Sequence, residues 1–190
     1  LFWGCDNVQP LYGVELDAKK YLELPNMGDW LARHRFYIGG NYTWSDSEIQ
    51  ADAGDTVQPN GYPAPVDATL FVQDGDQMQG QADHIANLQF GLESDDGSSQ
   101  ATLVANYVSE RISARGLPGQ PDYLQKPGTT LDLVLSRSFP LWSSTGKIGF
   151  AARNLLDTEF QEFQEMGGDR VDVYRYEPGI AYDLSLTVEF

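Results

Sequence analysis

The segment GIAYDLSLTVEF at 179–190 places Ile180, Tyr182, Leu184, Leu186, Val188 and Phe190 on alternate positions, with Ala181, Asp183, Ser185, Thr187 and Glu189 between them. Successive side chains of a strand point to opposite faces, so this pattern predicts a strand with one wholly apolar face and one mostly polar face. The same alternation recurs six times upstream. Ile148, Phe150 and Ala152 oppose Lys147, Gly149, Ala151 and Arg153; Leu131, Leu133, Leu135 and Phe139 oppose Thr130, Asp132, Ser136 and Ser138. In that second segment Val134 falls on the polar side and Arg137 on the apolar side. Further segments lie at 101–110, 86–93, 35–45 and 12–19. Together they predict seven strands and no amphipathic helix.

The connectors alternate too. LPNMGDW, SDDGSSQ and FPLWSSTG are short and turn-like, whereas 46–79, 112–126 and 157–170 are longer and read as loops. Short turns on one edge and long loops on the other are the pattern of outer-membrane barrels, whose strands alternate apolar-out and polar-in. A soluble antiparallel sandwich alternates for the same reason. Three features favour the barrel: the length of the strands, the charges Glu15, Lys19, Arg35, Glu93 and Arg153 on the polar faces, and aromatics toward both ends of the apolar stripe. In the last strand Tyr182 and Phe190 would stand about 20 Å apart along the membrane normal, near the spacing of two aromatic girdles. Phe139 and Trp142 would join the lower girdle. Barrel strands are usually even in number and leave no edge unpaired in lipid, so seven strands predict a portion of a larger barrel.

Composition excludes several classes. A chain of 190 residues with 41% apolar content suits one domain, globular or membrane, and the net charge of -16 offers no basic footprint for nucleic acid. The single cysteine, Cys5, has no partner for a disulfide or a zinc site. No apolar run of eighteen residues predicts a transmembrane helix, and no basic-then-apolar leader is read.

With the strands placed, the sequence resembles the C-terminal part of a TonB-dependent outer-membrane receptor. The resemblance is carried by LYGVEL at 11–16, GNYTWSDSE at 40–48, GQADHIANLQFGLE at 80–93, RISARGLPGQPDY at 111–123, ARNLLDTEF at 152–160 and YEPGIAYDLSLTVEF at 176–190, and it spans the whole chain. It implies an all-β antiparallel up-and-down meander, residues 1–190 being the last third or so of a 22-stranded transmembrane barrel. It further implies a plug domain inside the barrel, energy from TonB through an N-terminal region, and uptake of scarce cargo, ferric siderophore above all. Location in the outer membrane of a Gram-negative bacterium follows, with lipid as a partner. The barrel-assembly machinery would read the C-terminal strand, giving Phe190 a role in insertion signalling beside its girdle position with Tyr182. A non-TonB outer-membrane channel or adhesin and a soluble β-sandwich binding module are the alternatives.

On the polar faces Arg35, Tyr37, Asn41, Asn87, Gln89, Asn106, Asp132, Arg153 and Asp183 are candidates to line the lumen or grip the plug. Tyr62, Phe71 and Arg111 are external-loop candidates for cargo contact, with loop packing and local pairing as the competing roles. The stretch 46–79 holds Asp46, Glu48, Asp52, Asp55, Asp67, Asp74 and Asp76 without one Lys or Arg. Asp74-Gly75-Asp76 has oxygen donors for calcium, but the full loop pattern is missing and solvated acid is the reading adopted, so no metal site is expected. His34 and His84 fall on or beside the apolar side, no G-x-S-x-G elbow exists, and no catalytic site or cofactor is expected.

Overall fold

The computed structural model describes residues 11–22 and 33–189. Its strands in chain order are β1 (Tyr12–Leu22), β2 (His34–Asp46), β3 (Thr56–Val57), β4 (Val66–Asp67), β5 (His84–Ser94), β6 (Ser99–Val108), β7 (Arg111–Ala114), β8 (Tyr123–Lys126), β9 (Gly128–Leu141), β10 (Ser144–Arg153), β11 (Phe160–Met166), β12 (Asp169–Tyr176) and β13 (Ala181–Glu189). No α-helix occurs among the described residues.

The seven segments expected from alternation form one antiparallel sheet, in the order β1-β2-β5-β6-β9-β10-β13. Directly opposed residues share a face, and the register lines up the alternating sets across all seven strands. One cross-strand row runs Phe36, Leu92, Ala101, Leu135, Phe150, Leu184. On the opposite face the row beginning at Tyr37 continues through Gly91, Thr102, Val134, Ala151 and Asp183. Val134 therefore sits on the polar face and Arg137, opposite Ile148, on the apolar one, as read from sequence.

Nothing among the described residues covers the apolar face. Leu16 is 62% exposed, Phe90 47% and Leu184 76%, values that would fall near zero beneath a second layer. Of the buried apolar side chains only Tyr37 and Ala152 belong to this sheet; Ala51, Ala68, Val72 and Ala82 lie in the β2–β5 connector, and Phe163 in β11.

Two turns of the large sheet are tight. Residues 95–98 join β5 to β6, and the pair Leu141↔Ser144 closes the β9–β10 hairpin over Trp142 and Ser143. Trp142 takes a φ of 50° and is 98% exposed. The third short connector, LPNMGDW, lies outside the described residues.

The expectation of loops at 112–126 and 157–170 is corrected by the fold. Both fold back as hairpins, and the hairpins pair through β8 and β11 into a four-stranded sheet of order β12-β11-β8-β7. Among the described residues thirteen strands are therefore present where seven were expected. The connector from β2 to β5 carries the small β3–β4 pair and a 3-10 turn at Ala68–Leu70, where Asp67 accepts from the Thr69 amide (2.9 Å).

Candidate functional site

The lumen candidates of the sequence reading fall on one face of the seven-stranded sheet. Their mutual placement follows from the ladder. Asn41 opposes Asn87, which opposes Asn106, which opposes Thr130, and Asp17 extends the row on the other side. The Asn87 amide donates to Asn41 Oδ1 (2.6 Å) and the Asn106 amide to Thr130 Oγ1 (3.3 Å). An amide ladder of this kind presents both donors and acceptors to whatever faces it.

Nearer the short turns Tyr37 lies flat over Gly91. A Cβ on Gly91 would come within 1.9 Å of its ring, so the ring occupies space that only glycine leaves open. Tyr37 also shares a hydrogen bond with Thr102 (3.3 Å), and Lys19 Nζ stands 4.0 Å from its ring centroid. Arg35 pairs with Glu93 (3.2 Å) and reaches Asp95 (3.7 Å). At the far side of the sheet Arg153 meets Asp183 at 3.6 Å, both largely exposed, a pairing with little net stability in water. The structure keeps these two apart from Arg35 and the amide ladder. Asp132 is turned to a structural task, accepting from the Asn154 amide N–H (2.9 Å). Gln89 lies opposite Gly39 and Val104 on the same face.

The external candidates do not converge. Tyr62 and Phe71 pack edge to face at 5.8 Å within the β2–β5 connector, whereas Arg111 in β7 donates to Gln125 Oε1 (2.9 Å). Local packing and pairing thus account for all three. Asp122, flanking the same hairpin, accepts from the Gly116 amide (2.8 Å).

Sequence reasoning passed over Arg115. Its side chain is only 5% exposed, and Nη1 reaches Asp122 at 2.5 Å and Asp76 at 3.3 Å while Nη2 donates to the Gln77 carbonyl. Nε is buried without a partner. The available signal was an arginine facing the most acidic stretch of the chain.

The acids of that stretch mostly close their own turns. Asp55 accepts from the Asp52 amide (2.9 Å), Asp76 from the Gln73 amide (2.8 Å), Asp74 from the Ala51 amide (3.4 Å), and Asp46 from the Tyr12 hydroxyl (3.0 Å). Asp67 is held below the usual carboxylate range by the Thr69 hydroxyl and then by the Thr69 amide. Among the described residues no three His, Cys, Asp or Glu side chains are grouped to hold a metal ion.

On the apolar face His84 opposes Trp44, stacks on Tyr42 at 6.0 Å and shares a 2.8 Å hydrogen bond with its hydroxyl. Tyr12 packs edge to face on Trp44 at 6.1 Å, which completes an aromatic group at the long-connector end. A shallow depression of about 440 Å³ opens beside this group, with Gly40, Ala86 and Ala105 among its lining. Tyr182 sits on the same face and stacks on Phe150 at 6.3 Å. Phe190, the proposed insertion signal, lies outside the described residues.

No protein-family model, curated protein or solved structure matches this chain.

Proposed function

We propose that the chain forms part of the wall of a TonB-dependent outer-membrane transporter, a portion of a 22-stranded barrel whose cargo is ferric siderophore. One observation carries this reading: a single-layered antiparallel meander of seven strands presents a continuous apolar face to the outside and a hydrogen-bonding face to the other side. Hydrocarbon is the medium that makes such an apolar face favourable, and closed sheets are the way strands cross it without open backbone groups. The tight turns at one edge and the elaborate connectors at the other match the periplasmic and external ends of such barrels. The resemblance in sequence supplies the plug, the dependence on TonB and the class of cargo. In this role the amide ladder and Tyr37 face the plug, and the connectors meet cargo from outside.

The full-length protein in a Gram-negative outer membrane tests this. TonB-dependent accumulation of a radiolabelled ferric chelate is the expected result. Accumulation of small solutes without TonB would instead assign a passive channel, and recovery of the full-length protein in the soluble fraction without detergent would overturn the membrane reading.

A further inference from the structure

The long connectors are tied into one unit. The Gly80 amide donates to the Ile112 carbonyl (2.7 Å) and the Gln79 side chain to the Ser113 carbonyl (2.8 Å), which fixes the β2–β5 connector to β7. Arg115 clamps the same two pieces through Asp76, Asp122 and Gln77. Four ladder pairs join β8 to β11, reinforced by Ser113 with Glu162 and by the Gln164 side chain donating to the Pro121 carbonyl (2.6 Å).

Between this unit and the seven-stranded sheet β6, β9, β10 and β13 are interrupted at the same level, whereas the β2–β5 ladder runs on into the connector at Ser45 and Asp83. β6 stops at Val108 and β7 resumes at Arg111. Across from that gap Pro127 separates β8 from β9 and has no N–H to offer the ladder. Residues 154–159 separate β10 from β11, with Asn154 and Asp157 at φ 56° and 53°. Residues 177–180 separate β12 from β13, with Gly179 at φ 72°. Element-terminal residues of this kind absorb backbone rotation when packed bodies move.

At the β2–β5 side of that line Ser45 N donates to the Asp83 carbonyl (3.0 Å), Ser45 Oγ to the Ala82 carbonyl (3.1 Å) and His84 N to Ser109 Oγ (3.1 Å). Farther along, the Thr158 hydroxyl donates to the Thr129 carbonyl and Asn154 makes four bonds. Its amide N–H donates to Asp132 Oδ1 (2.9 Å), its side-chain nitrogen to the carbonyls of Thr158 (3.2 Å) and Gly179 (3.1 Å), and its Oδ1 accepts from the Thr158 amide (2.9 Å). Leu155 N to Leu131 O (2.8 Å) and Ser109 N to His84 O (2.9 Å) are the neighbouring ties.

We infer that the four-stranded sheet and the β2–β5 connector form one rigid cap, anchored to β2 and β5 at Ser45, hinged to the rest of the seven-stranded sheet along this line of breaks and latched there by Asn154 and Asp132. The inference stands on the hydrogen-bond map and does not require any particular cargo. A cap of this build swings as a body, so the three connectors open or close together.

Spin-label distances in the full-length protein test it. One pair, at Leu117 and Val171, lies within the cap; the other, at Val171 and Trp142, spans the line, and all three positions are exposed. Asn154→Gly keeps the left-handed backbone without strain and removes only the side-chain bonds. It is expected to broaden the spanning distance at least about twofold and to leave the distance within the cap unchanged, since a lost hydrogen bond is enough to shift such an equilibrium severalfold. Asp132→Ala removes the latch from the other side and is expected to act alike. An unchanged spanning distance in both variants, or equal broadening of the two distances, overturns the proposal. In the unsubstituted protein the Leu155 and Thr158 amides should exchange about tenfold faster than those of Phe163 and Leu133 on either side. Equal protection at all four would overturn it independently of how either variant folds.

Discussion

In the seven-stranded sheet Leu16, Phe90, Leu184 and Leu186 stand in the open on one side, whereas the β2–β5 connector tucks Ala51, Ala68, Val72 and Ala82 out of contact with solvent. The two regions are built from the same strands and turns, yet they are stabilised from different directions. The wall holds itself by ladder hydrogen bonds and leaves its apolar surface to an outside medium. The cap carries a small core of its own and a buried arginine, and its two hairpins share one sheet. A region bathed in water must satisfy itself; a region facing hydrocarbon gains its apolar burial from the surroundings.

The sharpest way to break this contrast is at Arg115. Arg115→Met leaves Asp76 and Asp122 without the cation between them, a change that costs about 2–3 kcal/mol because the two carboxylates keep part of their hydration. The loss is expected within the cap: limited proteolysis should cut inside 47–83 while amide protection in β9 and β10 persists. Simultaneous loss of both regions would show that they are one cooperative unit.

In the membrane barrel proposed above, a charge on the apolar face at mid-membrane should cost about 2–4 kcal/mol, so Leu184→Arg in the full-length protein in lipid vesicles is expected to destabilise it by that amount. The neighbouring Ser185→Arg, on the opposite face, should cost less than about 1 kcal/mol. Equal penalties in equilibrium unfolding would remove the distinction between the faces.

Gly91→Ala drives a methyl into the Tyr37 ring and should cost about 1–3 kcal/mol, the usual price of overpacking. Combining it with Tyr37→Ala should recover part of that loss, which a double-mutant cycle would read as coupling. An additive cycle would deny the contact.

The smallest effect belongs to the β5–β6 turn. Ser94 Oγ donates to Asp96 Oδ1 (2.6 Å) and the Ser98 amide does likewise (2.9 Å), lowering the carboxyl from 3.8 to about 2. The depressed value means that the folded turn favours the carboxylate. Its stabilising contribution is complete above pH ~4 and fades as pH falls through about 2. An NMR titration of the Asp96 carboxyl should have its midpoint near the lower value, and one near 3.8 would contradict the turn geometry.

The seven-stranded sheet was legible because strands with one apolar and one polar face write their orientation in every second residue. Over the described strands the sets read at 12–19, 35–45, 86–93, 101–108, 130–139, 147–153 and 181–189 reappear in one register, whereas residues 109–110 lie past the end of β6. The cap was not legible for a physical reason. DRVDVYRY in β12 carries a bulge at Val173, so Val171 shares a face with Tyr174 and Tyr176, and with all eight residues exposed the strand leaves no one-sided signature. In β11 the large apolar residues Phe160, Phe163 and Met166 recur every third residue and so fall on both faces. The pairing of β8 with β11, and of Arg115 with Asp76, joins parts of the chain far apart in sequence, which local pattern does not encode. The candidate site shows the same division. Its wall residues fell on the face expected of them, while Tyr62, Phe71 and Arg111 turned out to be engaged with their own neighbours.

Tyr37 resting in the hollow of Gly91 also bears on how the wall is put together. Sliding β2 by one residue against β5 would turn its apolar side to the polar face of the sheet, an error that the sidedness of the sheet rejects. Sliding by two preserves the sidedness and would escape that check, but it confronts the phenol with Gln89 or Glu93, where the hollow is absent. The glycine therefore works as a keyway, admitting the alignment of these two strands that both the sidedness of the sheet and the ring accept.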